Sequence, residues 1–284
     1  MSQTAPAAPG APATQPAEKK EEGSFLWFLI KLVVVVLLFR TLVFTSFSIP
    51  SESMMPRLLE GDFLFAAKWP YGYSRASLPL DVDLFDGRVP DGMPERGDVV
   101  VFKHPLDRTD YIKRVIGLPG DQVQMIAGVL HLNGEPVGKD RIGDLLVRVR
   151  PQGRCAAQRF AERAGDGTLT CRYPQYRETL PGGRSYAVLD FGPAGGNNGY
   201  AIDPDNTPPV LVPAGRLFMM GDNRDNSQDS RFPAEPGGGV ALVPVENVVG
   251  RASFLFFSTD GTAEWVKPWT WFSAARWQRL GTAI

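Results

Sequence analysis

Hydrophobic positions crowd one stretch of this chain and are spaced out over the rest. Phe25 to Phe47, FLWFLIKLVVVVLLFRTLVFTSF, is apolar apart from Lys31, Arg40, Thr41, Thr45 and Ser46. Its 23 residues make about 35 Å of helix, enough to cross about 30 Å of hydrocarbon. A cleaved leader has a shorter apolar run, roughly 7–15 residues. A buried core helix is seldom apolar on every face over this length. The pattern predicts a transmembrane anchor over 25–47. Lys31 snorkels to one interface and Arg40 reaches the other. Lys19, Lys20 and Lys31 lie on the N-terminal flank and the first basic residue after the span is Arg57, which puts the N-terminus inside. Residues 1–24, rich in Ala, Pro, Gln and Glu without apolar periodicity, read as a disordered tail.

Beyond the anchor the period shortens to that of strands. GDVVVFK (97–103), DYIKRVIG (110–117), residues 123–132 up to Asn133-Gly134, LFMM (217–220) and VVGRASFLFF (248–257) are strand patterns bounded by turn residues. Only 270–280 hints at a helical period. Residues 138–213 read as loop-rich, with Gly and Pro clusters and both cysteines. Gly192 to Gly199 lacks the Lys-Ser/Thr ending of a phosphate loop and reads as a surface loop. The expected fold is mainly β, divided into a tail (1–24), an anchor (25–47), a catalytic core in two parts (48–121 and 214–284) and an inserted cap domain (122–213).

Composition narrows the chemistry. A net charge of -1 leaves no basic excess for a nucleic-acid surface. Two His and two Cys make a structural zinc module improbable. Cys155 and Cys171, in an oxidising outer compartment, are a plausible disulfide, with two unrelated free thiols as the alternative.

Three segments carry candidate chemistry. In Ile49-Pro50-Ser51-Glu52-Ser53-Met54-Met55-Pro56 two hydroxyls stand two residues apart between prolines. In extended backbone Ser51 and Ser53 share a side, so one can attack a carbonyl while the other donates to the oxyanion. A polar exit from the membrane explains the segment equally well. A nucleophilic serine needs a base. His104 reads as a surface loop residue and His131 sits beside a hairpin turn, so both read as structural. Lys113 shares a strand face with Tyr111 and Val115, and a lysine on an apolar face loses part of its charge preference. The simpler reading, two surface charges Lys113 and Arg114 on an exposed strand, stays open. The third segment, Gly221 to Arg231 (GDNRDNSQDSR), is dense in charge and hydroxyls. Its spacing does not fit an EF-hand, and Asp alternating with Arg suits an ion-paired scaffold in which Ser227 holds a neutral lysine.

Taken together and in order, FSIPSESMMPRLLEGDFL (47–64), RGDVVVFKHP (96–105), DYIKRVIGLPGD (110–121), GDNRDNSQDSR (221–231) and VPVENVVGRA (243–252) closely resemble the bacterial type I signal peptidases, membrane-anchored Ser-Lys endopeptidases. The resemblance covers about a quarter of the chain. It implies Ser53 as nucleophile and Lys113 as general base. The Ser53 N–H and Ser51 hydroxyl would form the oxyanion hole, Ser227 would orient the lysine, and Asp229 and Arg231 would buttress the loop. Phe47, Ile49, Met54, Leu58, Leu64, Val101, Tyr111 and Ile112 would line apolar pockets for small residues of an Ala-X-Ala site. It implies no metal or organic cofactor, and preproteins, the lipid bilayer and the secretion translocase as partners. The implied location is the bacterial inner membrane, with the catalytic part periplasmic. Three departures stand out. Glu52 lies where the family often has Gly and is expected to point away from the site, only one anchor is present, and residues 122–213 match poorly. The aromatic tail Trp265 to Phe272, with Lys267 inside it, reads as an interfacial segment or as the edge of an aromatic core. The rivals are a self-cleaving Ser-Lys repressor-type protease, a tethered β module that binds secretory peptides without cutting them, and a Ser-x-x-Lys enzyme. The last fails because no Ser has Lys three residues later.

Overall fold

The computed structural model describes residues 22–79, 82, 87–149, 153–165, 167–193, 203–264 and 266–284, with the side chains of 22–24 left aside. Expectations for residues 1–21, for 194–199 of the Gly-rich stretch and for Trp265 lie outside the described residues. The chain divides into a unit ending at Phe39 and a compact unit Arg40–Ile284.

Helix α1 (Glu22–Leu42) supplies a span-length apolar segment, Phe25–Leu42, with none of it buried. It starts three residues before the expected anchor and stops five residues short of its expected end. Phe44 to Phe47 belong to a strand instead. The stop has a local cause. β-branched and aromatic residues alternating with hydroxyls, Val-Phe-Thr-Ser-Phe, suit extended backbone. The last helical carbonyls find partners there: Thr45 Oγ1 donates to Arg40 O, Tyr73 Oη to Leu42 O at 2.6 Å and Lys68 N–H to Val43 O.

The second unit is mainly β. Its strands are β1 (Phe44–Ser48), β2 (Asp62–Ala67), β3 (Tyr73–Ser74), β4 (Arg88–Val89), β5 (Val99–Lys103), β6 (Asp110–Gly117), β7 (Gln122–Ile126), β8 (Val129–Leu132) and β9 (Glu135–Pro136). There follow β10 (Gly138–Arg148), β11 (Ala161–Arg163), β12 (Leu169–Thr179), β13 (Ser185–Leu189), β14 (Val210–Leu211), β15 (Arg216–Met220), β16 (Val243–Pro244) and β17 (Val248–Ser258). A short helix α2 (Trp269–Ala274) lies near the end.

A seven-stranded sheet in the order β1-β2-β17-β5-β6-β15-β16 forms the body. All five strand patterns of the sequence fall on strands. The Asn133-Gly134 turn closes β8 onto β9 with both residues at positive φ, 54° and 86°, as a two-residue hairpin requires. Residues 138–213, read as loop-rich, carry two long strands among the described residues. β10 and β12 are each 11 residues long and pair along their length, with β11 and β13 on β12. Neither shows a clean alternation: β10 is exposed at most of its positions and β12 is half-buried at most of its own, so the apolar signal is sparse. A third sheet, β14-β7-β8-β9, adjoins the body through a shared core: Ile116 and Phe218 pack with Val123, Leu130, Leu180 and Val212. A further cluster joins Met55, two residues past Ser53, to Phe160, Tyr173 and Leu189. The inserted strands therefore grip the segment that carries the candidate nucleophile. Cys155 and Cys171 are disulfide-bonded within that region, which on chain-entropy grounds stabilises by about 3 kcal/mol.

Candidate active site

Three segments converge as the motifs suggested. Ser51 and Ser53 lie in the turn after β1, not in extended backbone, yet their hydroxyl oxygens are 3.3 Å apart. β6 carries Lys113, whose Nζ is 2.7 Å from Ser53 Oγ. The loop after β15 supplies Asn223, whose backbone N–H donates to Ser53 O at 3.1 Å and whose Nδ2 donates to Glu52 O. The segment carrying Ser53 is thus held by the acidic loop at the main-chain carbonyls of Glu52 and Ser53. Among the described residues no group accepts the Ser53 N–H.

Lys113 and Arg114 are both buried, at 4% and 6% exposure, which overturns the surface-charge reading of that strand. Their environments differ. Arg114 makes a bidentate bond to Asp222 at 2.7 and 2.6 Å. Among the described residues, Lys113 has no carboxylate within bonding reach, and its Nζ donates to Ser53 Oγ. Asp229 is nearby but its oxygens accept from Arg231 Nε and Nη2, each at 2.9 Å, and from Gly221 N–H. Each acid is neutralised by its own arginine, so burial dominates and lowers the Lys113 amine to about 8, with Asp229 and Asp222 opposing the drop and Arg231 adding to it. Asp229 itself, buried fully, is held below the ordinary carboxylate range by Arg231 and Gly221 despite desolvation.

Ser227 is buried against the site, but among the described residues its Oγ makes no hydrogen bond, to Lys113 or to any other group. The amine is engaged by Ser53 instead. The crowding there is severe: a Cβ on Gly221 would sit 2.2 Å from Ser227 Oγ and 2.5 Å from Ser53 O, so only glycine lets the loop come this close.

A groove of about 470 Å³ opens at Ser53 and Lys113. Phe47, Ile49, Val101, Tyr111 and Ile112 form its apolar walls, as expected of them. Met54, Leu58 and Leu64 do not line it. Each is fully buried in the core behind, packed with Ile49 and Val101, because residues 54–58 fold back as a turn. Asn226, Gln228, Gly237 and Gly238 complete the groove and were not singled out from the sequence, although the first two stand inside the acidic motif. Glu52 does not turn away into solvent. Its carboxylate accepts from Asn226 Nδ2 at 3.0 Å beside the groove.

Neither histidine reaches Ser53. His104 is wholly buried, not a loop residue at the surface; Nε2 pairs with Gly239 O at 3.0 Å and its ring lies 5.0 Å from Tyr111. His131 faces Gln124 across β7 and β8, with Nδ1 on Val129 O.

Comparison with known proteins follows the same lines. Residues 23–257 match the family described as Signal peptidase, peptidase S26. The signal peptidase I of Rickettsia massiliae is 36% identical over 255 residues, covering 88% of this chain and 83% of that one. The signal peptidase I of Rickettsia bellii is 38% identical over 239 residues, 82% and 72% of the two chains. A solved signal peptidase I from Enterococcus faecalis shares 21% identity, with a TM-score of 0.29 over 57% of this chain and 97% of that one. On the extent of the sequence matches, the chain belongs to the signal peptidase family, peptidase S26.

Proposed function

We propose that this protein is a membrane-bound serine endopeptidase that removes signal peptides from exported preproteins by a Ser53–Lys113 dyad, after small residues in an Ala-X-Ala pattern. The single observation that carries the reading is the 2.7 Å approach of a buried, counterion-free lysine amine to Ser53 Oγ. A neutral amine at this position takes the hydroxyl proton as the oxygen attacks the scissile carbonyl, then returns it to the leaving amine. The Ser53 N–H and the Ser51 hydroxyl face the developing oxyanion and are the donors it needs. No metal enters the scheme. Small P1 and P3 side chains suit a groove walled beside Ser53 by the bulky apolar groups of Phe47, Ile49, Val101, Tyr111 and Ile112.

Membrane attachment is supported by the wholly exposed apolar span Phe25–Leu42. The inner membrane of a bacterium, with the N-terminus cytoplasmic and the Arg40–Ile284 unit periplasmic, agrees with the lysines before the span and with the disulfide. Within that unit Trp269, Phe272 and Trp277 are more than half exposed, which favours the interfacial reading of the tail over an aromatic core. The secretion translocase is proposed as the neighbour that delivers the preprotein. The test is cleavage of a preprotein by the detergent-solubilised full chain. Loss of an Ala-X-Ala site by substitution of the last Ala with a large residue should abolish the cut. Equal cutting of both substrates would overturn the specificity.

A further inference from the structure

A second cavity, of about 1220 Å³, adjoins the groove. The two share Asn226, and Glu52, between the two serines, lines the larger one. The apolar groove accounts for residues before the scissile bond. A polypeptide bound across Ser53 must continue past it, and this cavity is the adjoining space. Its charges are segregated. Glu52 and Asp225 stand on the edge made by the catalytic segments, whereas Arg154, Arg159 and Arg163 stand on the segment leading from the disulfide. Glu162, on the same segment, is already neutralised by Arg172 at 2.7 Å. Arg159 is held in place, donating to Phe191 O at 3.2 Å with its guanidinium 4.8 Å from the centre of the Phe160 ring. Arg154 is exposed.

We propose that this cavity receives the first residues of the mature chain, and that Arg154 and Arg159 select acidic side chains a few positions beyond the cleavage point. The proposal rests on reading Ser53 as the nucleophile. It makes the inserted region a substrate-reading element, with the Cys155–Cys171 bond fixing the arginine-bearing wall.

The experiment measures binding and cutting separately. Fluorescent peptides carry one Ala-X-Ala site followed by either two Glu or two Lys at the third and fourth mature positions. Binding is read on the full chain in detergent as Ser53→Ala, so that no turnover intervenes. The acidic peptide should bind about fivefold more tightly, the size of one or two exposed charge pairs, and the margin should shrink in high salt. In the added double variant Arg154→Glu/Arg159→Glu the ratio should fall to one or invert. Equal binding of the two peptides, or a preference that survives the charge reversal, would overturn the proposal. Cutting is read with Ser53 intact. Charge-selective binding without cutting would uphold this cavity and sink the peptidase reading, while cutting without charge preference would do the reverse.

Discussion

At the residue scale the site is an arrangement for lowering the proton affinity of one amine. Lys113 is buried to 4% exposure beside two carboxylates, yet each carboxylate is spent on an arginine: Asp222 on Arg114 and Asp229 on Arg231. Desolvation then outweighs attraction and sets the amine at about 8. Two expectations follow from the sign of that shift. For catalysis the neutral form is the active one, so kcat/KM should fall tenfold per pH unit below about 8; a profile flat down to pH 5 would contradict a lysine base. For stability, the unfolded chain binds more protons than the folded one between about 8 and the ordinary 10.5, so the cost of Lys113 is fully present below about 8 and fades as pH rises through that window. Lys113→Met should therefore be more stable than the parent by about 3 kcal/mol at pH 7 while inactive, with the gap closing towards pH 10.5; denaturant titration at the two pH values reads it. Lys113 was legible from the sequence only as one of two readings, since a strand pattern does not say which face is covered. Ser227 was read from the charged loop as the group that holds the lysine, yet among the described residues its hydroxyl makes no bond.

At the scale of elements, the loop Gly221–Arg231 is the part on which the site depends. It is fastened to the inserted strands as firmly as to the body. Arg224 Nη1 meets Glu178 Oε1 of β12 at 2.6 Å, both side chains being buried, and Leu189 N–H of β13 donates to Asp222 O. Removing one partner leaves a buried charge uncompensated. Glu178→Ala should cost about 3–5 kcal/mol and slow cleavage as the loop loosens; an unchanged denaturation midpoint would show the pair to be idle. Gly221→Ala places a methyl on Ser53 O and Ser227 Oγ. It should cost about 1–3 kcal/mol and reduce kcat more than it raises KM, measured on a peptide substrate. Of the body strands, β5, β6, β15 and β17 were readable because each is apolar and bounded by turns, whereas β1 was read into the anchor and β2 and β16 were not singled out. The long strands β10 and β12 were not readable, because β10 is mostly exposed, β12 is half-buried on both faces, and neither therefore has a regular apolar period.

At the scale of the whole molecule, the chain combines an apolar span with a β unit whose core runs continuously from the body into the insertion. The span was legible from hydropathy alone. Its end was not, because Val43, Phe44 and Phe47 continue the apolar run past the helix, and the hydroxyls of Thr45 and Ser46 between them did not mark the change to a strand paired with β2. Pocket residues were legible where they sit on strands, as Tyr111 and Ile112 do. They were misplaced where a turn folds them inward, as with Met54 and Leu58. Reduction of the Cys155–Cys171 bond should lower stability by about 3 kcal/mol, read by thermal unfolding with and without reductant; an unchanged midpoint would mean the insertion is held by packing alone. The most direct test of the whole account is cleavage of a purified Ala-X-Ala preprotein by the full chain in detergent, beside Ser53→Ala and Lys113→Ala shown to be folded. The account predicts a cut after the last Ala by the parent protein and none by either variant. A cut that survives in Lys113→Ala would contradict it, because the base would then lie elsewhere.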